Sequence, residues 1–88
     1  MSRTYEAMSL PSPEAAHLRH ALEEAGWRFT RQRAAVYDYL RSVERHPTAE
    51  EVYLAVRQRI PNISLATVYK ALETLVDCRL ATKVSRAL

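Results

Sequence analysis

Apolar positions recur every three or four residues along four stretches of the chain, the spacing that gathers them on one side of an α-helix. In order they are Ala15, Leu18, Leu22 and Ala25; Val36, Tyr37, Leu40 and Val43; Val52, Ala55, Val56 and Ile60; and Leu65, Val68, Leu72, Leu75 and Val76. Residues that start or stop helices bracket each stretch. Ser12 and Pro13 suit the cap and first position of the first helix, and Gly26 stands where a left-handed C-terminal cap belongs. This helix is expected from Pro13 to Ala25. Thr30 can cap the second helix, which ends before His46 and Pro47. Thr48, with Glu51 three residues on, forms a capping box for the third, and Pro61 stops it through its steric demand on Ile60. Ser64 can cap the fourth, which carries Ala66, Lys70, Glu73, Thr74 and Asp77 on its outward side.

After Arg79 the period changes to two. Leu80 to Ser85 alternates as a strand does, with no second strand predicted beside it. A lone strand leaves its backbone groups unpaired, so the reading is of a domain truncated in its wing, or of an end that frays or borrows pairing from another chain. Residues 1–12 are expected to be a flexible N-terminal arm and residues 13–88 the folded domain.

Composition narrows the class. With 88 residues the chain buries about 60 to 65% of the surface it exposes when unfolded, which is one small domain. One glycine excludes a glycine-rich phosphate loop and argues against a turn-rich β fold. The single cysteine, Cys78, excludes an internal disulfide framework and a four-cysteine zinc site, and fits a reducing cytoplasm. No apolar run reaches the 18 to 20 residues or so that span a bilayer. The net charge is +3, and all the cations except Lys70 and Lys83 are arginine, the residue suited to bidentate contact with phosphate.

Catalysis needs a nucleophile or acid and base within mutual reach, and no stretch supplies one, so an enzyme is the least expected class. Cys78, near the end of the fourth helix, reads as a small half-buried apolar residue. His17 and His20 could share a helix face as metal ligands, or be ordinary surface residues. Arg28, Arg31 and Arg33 are more informative. Two of them fall in the first turn of the second helix, where the helix dipole disfavours positive charge. Such a helix start, with guanidinium groups beside its free amides, suits phosphate; the alternative is a solvated surface, or pairing with Glu23 and Glu24.

Helices joined by a tight proline-containing link, a two-faced last helix and a strand give the outline of a winged helix-turn-helix, mainly α with a short, incomplete β wing. In that unit the fourth helix enters the major groove and reads bases from its first turns. Candidate readers are Ser64, Ala66, Thr67, Tyr69 and Lys70. Lys70 projects opposite the apolar stripe, and Tyr69 lies at its flank, either a core-edge residue or a base contact. A helical protein-interaction module without base reading is the alternative, binding through an apolar patch rather than through charge.

Three runs carry a family resemblance: Gly26-Trp27-Arg28-Phe29-Thr30-Arg31-Gln32-Arg33, His46-Pro47-Thr48-Ala49-Glu50-Glu51-Val52-Tyr53, and Pro61-Asn62-Ile63-Ser64-Leu65-Ala66-Thr67-Val68-Tyr69. Together they resemble the N-terminal DNA-binding domain of the ferric uptake regulator (Fur) family, most nearly its peroxide-sensing branch. The resemblance implies a metal-responsive bacterial transcription regulator, usually a repressor, that binds AT-rich inverted repeats of double-stranded DNA as a homodimer. It also implies that Tyr69 meets thymine, that Arg33 lies near the DNA backbone, and that His46 is one ligand of a regulatory metal. The chain departs from the family pattern at Arg31, where proline is frequent, and at Lys70, where Arg or Asn is common and where lysine offers no fork for guanine. Intact members carry a second wing strand, a hinge and a dimerisation domain with the other ligands, bearing regulatory iron or manganese and structural zinc. This chain is accordingly expected to hold no complete metal site and to be a monomer or weak dimer.

Overall fold

In the computed structural model, residues 3–7, 15–43 and 45–85 are described. The elements run β1 (Arg3–Ala7), α1 (Ala15–Glu24), α2 (Arg31–Ser42), α3 (Ala49–Val56), α4 (Leu65–Asp77) and β2 (Ala81–Ser85). Four helices with a small β element give the expected mainly α winged helix-turn-helix class. The proposed cap at Ser12 and Pro13 lies outside the described residues.

Each of the three later helices is started by a side chain that the sequence marks. Thr30 Oγ1 accepts from the Arg33 amide at 3.1 Å, and Ser64 Oγ accepts from the Thr67 amide at 3.0 Å. At α3 the capping box is complete: Thr48 Oγ1 accepts from the Glu51 amide at 3.1 Å while the Thr48 amide donates to Glu51 Oε1 at 2.9 Å. That backbone bond, and then a hydrogen bond from Arg45, hold the Glu51 carboxyl below its ordinary value. Because a first-turn carboxylate also complements the positive end of the helix dipole, α3 starts firmly despite its short length.

The predicted stripes form one core. Leu18 and Leu22 of α1, Val36, Tyr37 and Leu40 of α2, Val52 and Val56 of α3, and Val68, Leu72 and Leu75 of α4 are all buried. Ile60, Ile63 and Leu80 close it from the connections. Some predicted placements change. Ala25 is exposed, and Val43, Ala55, Leu65 and Val76 are only half-buried. Thr74, assigned outward by periodicity, is buried; its hydroxyl donates to the Lys70 carbonyl at 2.9 Å, which satisfies the polar group inside its own helix and lets the methyl pack.

Two helices end in the same geometry. At α1, Gly26 has φ of 86°, its amide donates to Glu23 at 3.0 Å, and the Trp27 amide donates to Leu22 at 2.8 Å. These are the two bonds of a Schellman cap. At α4, Arg79 takes the glycine position with φ of 60°. Its amide donates to Val76 at 3.0 Å and that of Leu80 to Leu75 at 2.8 Å, with Leu75 and Leu80 both buried. The buried pair holds a non-glycine residue in a left-handed conformation that it would otherwise avoid.

Residues 3–7, expected to lie within a loose arm, form a strand. β1 pairs antiparallel with β2, Tyr5 opposite Lys83, so the wing strand borrows its partner from the other end of the same chain. The Tyr5 amide donates to the Pro47 carbonyl at 2.9 Å, which gives β1 a partner beyond β2. Tyr5 itself is fully buried, and its hydroxyl donates to Glu73 on α4 at 3.3 Å. Burial of an aromatic ring gives a five-residue strand enough apolar surface to dock.

Two stability predictions follow from strain and from an orphaned group. Arg79→Gly relieves the left-handed strain at the end of α4, partly offset by the freedom glycine adds to the unfolded chain. A gain of roughly 0.5 to 1 kcal/mol is expected in urea unfolding; an unchanged or lower midpoint would contradict the assignment. The Tyr37 hydroxyl is buried with no hydrogen-bond partner among the described residues, and burial pushes its ionisation upward. Tyr37→Phe removes that unmet donor while keeping the ring. It is expected to raise stability by about 1 kcal/mol, which thermal unfolding would register as roughly 4 to 8 °C for a domain of this size.

Candidate nucleic-acid interface

The start of α2 and the first turns of α4 lie side by side, and the groove between them is lined by Thr30, Gln32, Arg33, Thr67, Lys70 and Ala71. Packing dictates this. Burial of Val68, Ala71, Leu72 and Leu75 turns one side of α4 into the core, so Ala66, Tyr69 and Lys70 are left exposed. At about 160 Å³ the groove is smaller than the roughly 300 to 1,000 Å³ of small-ligand pockets. Its form suits contact with a surface.

Arg33 is held in place by neutral groups. Its Nη1 donates to the Arg28 carbonyl at 2.8 Å, and its guanidinium carbon lies 5.2 Å from the centroid of the Trp27 ring. Trp27 in turn donates from Nε1 to Asp77 of α4 at 3.0 Å. The nearby carboxylate is thereby engaged with the indole, and the Arg33 charge is cradled by a ring and a carbonyl. Most of its donors remain available. Lys70 is exposed, and no described carboxylate lies within salt-bridge distance of it.

The pairing with Glu23 and Glu24 offered as an alternative for these arginines does not occur. Glu23 pairs with Arg19 at 3.7 Å and Glu24 with His20 at 3.3 Å. Arg31 instead donates to the Arg59 carbonyl after α3, at 3.2 Å, and does not line the groove. Arg28 is exposed beside Arg33. Of the sequence-selected residues, the structure brings Arg33, Thr67 and Lys70 together, sets Ser64 and Ala66 at the exposed start of α4, and turns Arg31 toward the end of α3.

The Tyr69 ring lies outside the core, with 41% of its surface exposed. Its hydroxyl donates to Glu50 Oε2, in the first turn of α3, at 3.0 Å. This bond, then partial desolvation and the Glu50 charge, push the phenol ionisation upward. The sequence reading passed over Glu50 and Gln32: Gln32 stands in the first turn of a helix already marked as basic, whereas Glu50 carries no local signal, since its role depends on how α3 crosses α4.

His46 is exposed, just before buried Pro47. Among the described residues no three His, Cys, Asp or Glu side chains are grouped so as to hold a metal ion. Those side chains alone do not complete a metal centre, and His17 and His20 do not build one. Cys78 is half-buried; burial, then the Asp77 charge, push its thiol upward while Arg33 opposes them, the reverse of what a reactive thiolate needs. No helix among the described residues is long and apolar enough to cross a membrane.

Comparison with known proteins agrees with this arrangement. The profile of the ferric uptake regulator family matches residues 24–87. The chain is 44% identical over 73 residues to the peroxide-responsive repressor PerR of Staphylococcus epidermidis, and equally so to its namesake in Staphylococcus aureus strain USA300. Each match covers 75% of this chain and 49% of the relative, so the chain spans about half the length of these relatives. The helix order, the exposed start of α4 and the extent of the profile match lead to one conclusion: the chain belongs to the ferric uptake regulator family.

Proposed function

We propose that this chain is the DNA-binding part of a metal-responsive transcription regulator, a repressor acting in the cytoplasm, and that α4 reads an AT-rich inverted repeat of double-stranded DNA. The observation that carries the proposal is the juxtaposition of two cationic side chains, Arg33 and Lys70, with no carboxylate partner among the described residues, across a shallow groove at the exposed start of α4. Phosphate contacts position such a helix and base contacts specify its site. Arg33 and Arg28 take the first role, with Arg31 at the margin. Ser64, Ala66, Thr67, Tyr69 and Lys70 face the bases. Ser64 and Thr67 are already engaged with each other, their hydroxyls 2.9 Å apart, so their contribution to base contact is small. The 44% identical relatives are named as peroxide-responsive repressors, which supports the regulatory reading and the peroxide branch. His46 supplies one ligand to a regulatory metal whose other ligands belong to the dimerisation domain of an intact regulator, iron or manganese being regulatory and zinc structural there. Homodimerisation likewise belongs to that intact protein, this chain alone being a monomer or weak dimer.

Fluorescence anisotropy of an AT-rich inverted-repeat duplex and a scrambled duplex, each titrated at two salt concentrations, tests the reading. Affinity is expected to fall steeply with salt, because each neutralised phosphate releases counterions. Arg33→Ala should weaken both duplexes alike and reduce the salt slope by about 1. Tyr69→Ala should cost about 1 to 3 kcal/mol on the repeat alone. Salt-insensitive binding, or equal affinity for the two duplexes, would refute base reading and favour a protein-interaction module.

A further inference from the structure

We infer that Glu50 is a specificity-determining residue that commits the single proton of the Tyr69 phenol, and thereby makes α4 reject guanine at the base that Tyr69 meets. The inference rests on the DNA-reading function proposed above. It begins from an oddity of charge. A carboxylate at the reading surface opposes the phosphate backbone, yet Glu50 is exposed beside Tyr69 and no cation pairs with it among the described residues. Its neighbour Glu51 has a separate role, closing the capping box and bonding Arg45 at 2.9 Å. Capping alone therefore does not account for Glu50.

The geometry gives it another use. The Tyr69 hydroxyl donates to Glu50 Oε2 at 3.0 Å, and a phenol has only one proton to give. With that proton engaged, the oxygen offers a base edge lone pairs only. Guanine presents only acceptors in the major groove, N7 and O6, whereas adenine sets an N6 donor beside its N7 and thymine a methyl group beside its O4. An acceptor-only phenol beside a carboxylate meets guanine with repulsion and no compensating hydrogen bond. It meets adenine with a favourable bond, and the ring edge packs on the thymine methyl. The Thr48 capping box fixes the backbone that carries Glu50 before DNA arrives, so little backbone ordering remains to be done on binding.

The test is a set of duplexes in which each A·T pair of one half-site is changed singly to G·C in both orientations, with affinities measured for the unmodified chain and five variants of it. In the unmodified chain, guanine at the pair sensitive to Tyr69→Ala should lower affinity about tenfold. Glu50→Ala frees the phenol proton and should reduce that ratio to about threefold or less. Glu50→Gln retains an oxygen acceptor and should keep most of the discrimination. In a Tyr69→Phe background, Glu50→Ala should leave the ratio unchanged, since no proton remains to redirect. Because each ratio is taken on one protein preparation, partial unfolding cancels from it. Spectrophotometric titration without DNA gives a second readout: in Glu50→Ala the Tyr69 phenol should ionise at lower pH than in the unmodified chain. An unchanged guanine ratio in Glu50→Ala, an equal change in the Tyr69→Phe background, or an unmoved phenol titration each overturns the assignment to Glu50. Absence of any duplex preference in the unmodified chain would instead overturn the DNA-reading function, and this inference with it.

Discussion

Burial of one side of α4 is the constraint on which the rest of the molecule turns. Val68, Ala71, Leu72 and Leu75 have almost no exposed surface, and the valine and the two leucines each contribute of the order of 1.5 to 3 kcal/mol when removed from water. Rotating α4 by even one residue, 100° about its axis, would expose part of that set. The solvent-facing set, Ala66, Tyr69, Lys70 and Glu73, is therefore determined by the core and not by any ligand. A surface defined in this way is rigid for the same reason that it is exposed, and the ends of α4 share the constraint: Ser64 caps one, while the buried Leu75 and Leu80 pair holds Arg79 left-handed at the other.

The start of α2 shows the opposite balance. Positive charge in a first turn opposes the helix dipole, typically by 0.3 to 1 kcal/mol, yet Arg31 and Arg33 both stand there without acidic company. Thr30 recovers part of the cost by capping, and Trp27 recovers more by presenting its ring to Arg33. The indole is itself anchored by Asp77 from the end of α4. The segment before α2 and the end of α4 are thus joined through a single tryptophan, in addition to the core between the two helices.

Much of this was legible in the sequence because it is local. Thr30, Thr48, Ser64 and Gly26 each act within three or four residues of their own position, and the apolar periodicity named most of the core correctly. What could not be read depends on contacts distant along the chain. Residues 3–7 contain little alternation, and their strand exists only because Lys83 and its neighbours lie opposite and because Tyr5 finds a buried seat near Pro47 and Glu73. Thr74 was misplaced because periodicity treats a hydroxyl as polar, although it can be satisfied by the Lys70 carbonyl four residues back. At the candidate interface Arg33, Thr67 and Lys70 were found from residue type and helix position. Arg31 was indistinguishable from Arg33 by those criteria, and only the proximity of the Arg59 carbonyl separates them.

That separation bears on how a weakly charged domain can serve a polyanion. With a net charge of +3, long-range attraction is modest, and at physiological ionic strength it is screened within about 8 Å. Affinity must then come from a few cations that are both close to the ligand and free of protein carboxylates. Three arginines fail the second condition: Arg19, Arg45 and Arg59 are engaged with Glu23, Glu51 and Asp38. Arg33 meets both, because a carbonyl and an aromatic ring orient its guanidinium without neutralising it. A carboxylate partner would have held the side chain equally well, but a phosphate would then have had to displace that pair before binding. Orientation by neutral groups avoids this competition, so under the proposed DNA-reading function a single arginine at a helix start would contribute more to phosphate recognition than the overall charge of the chain suggests.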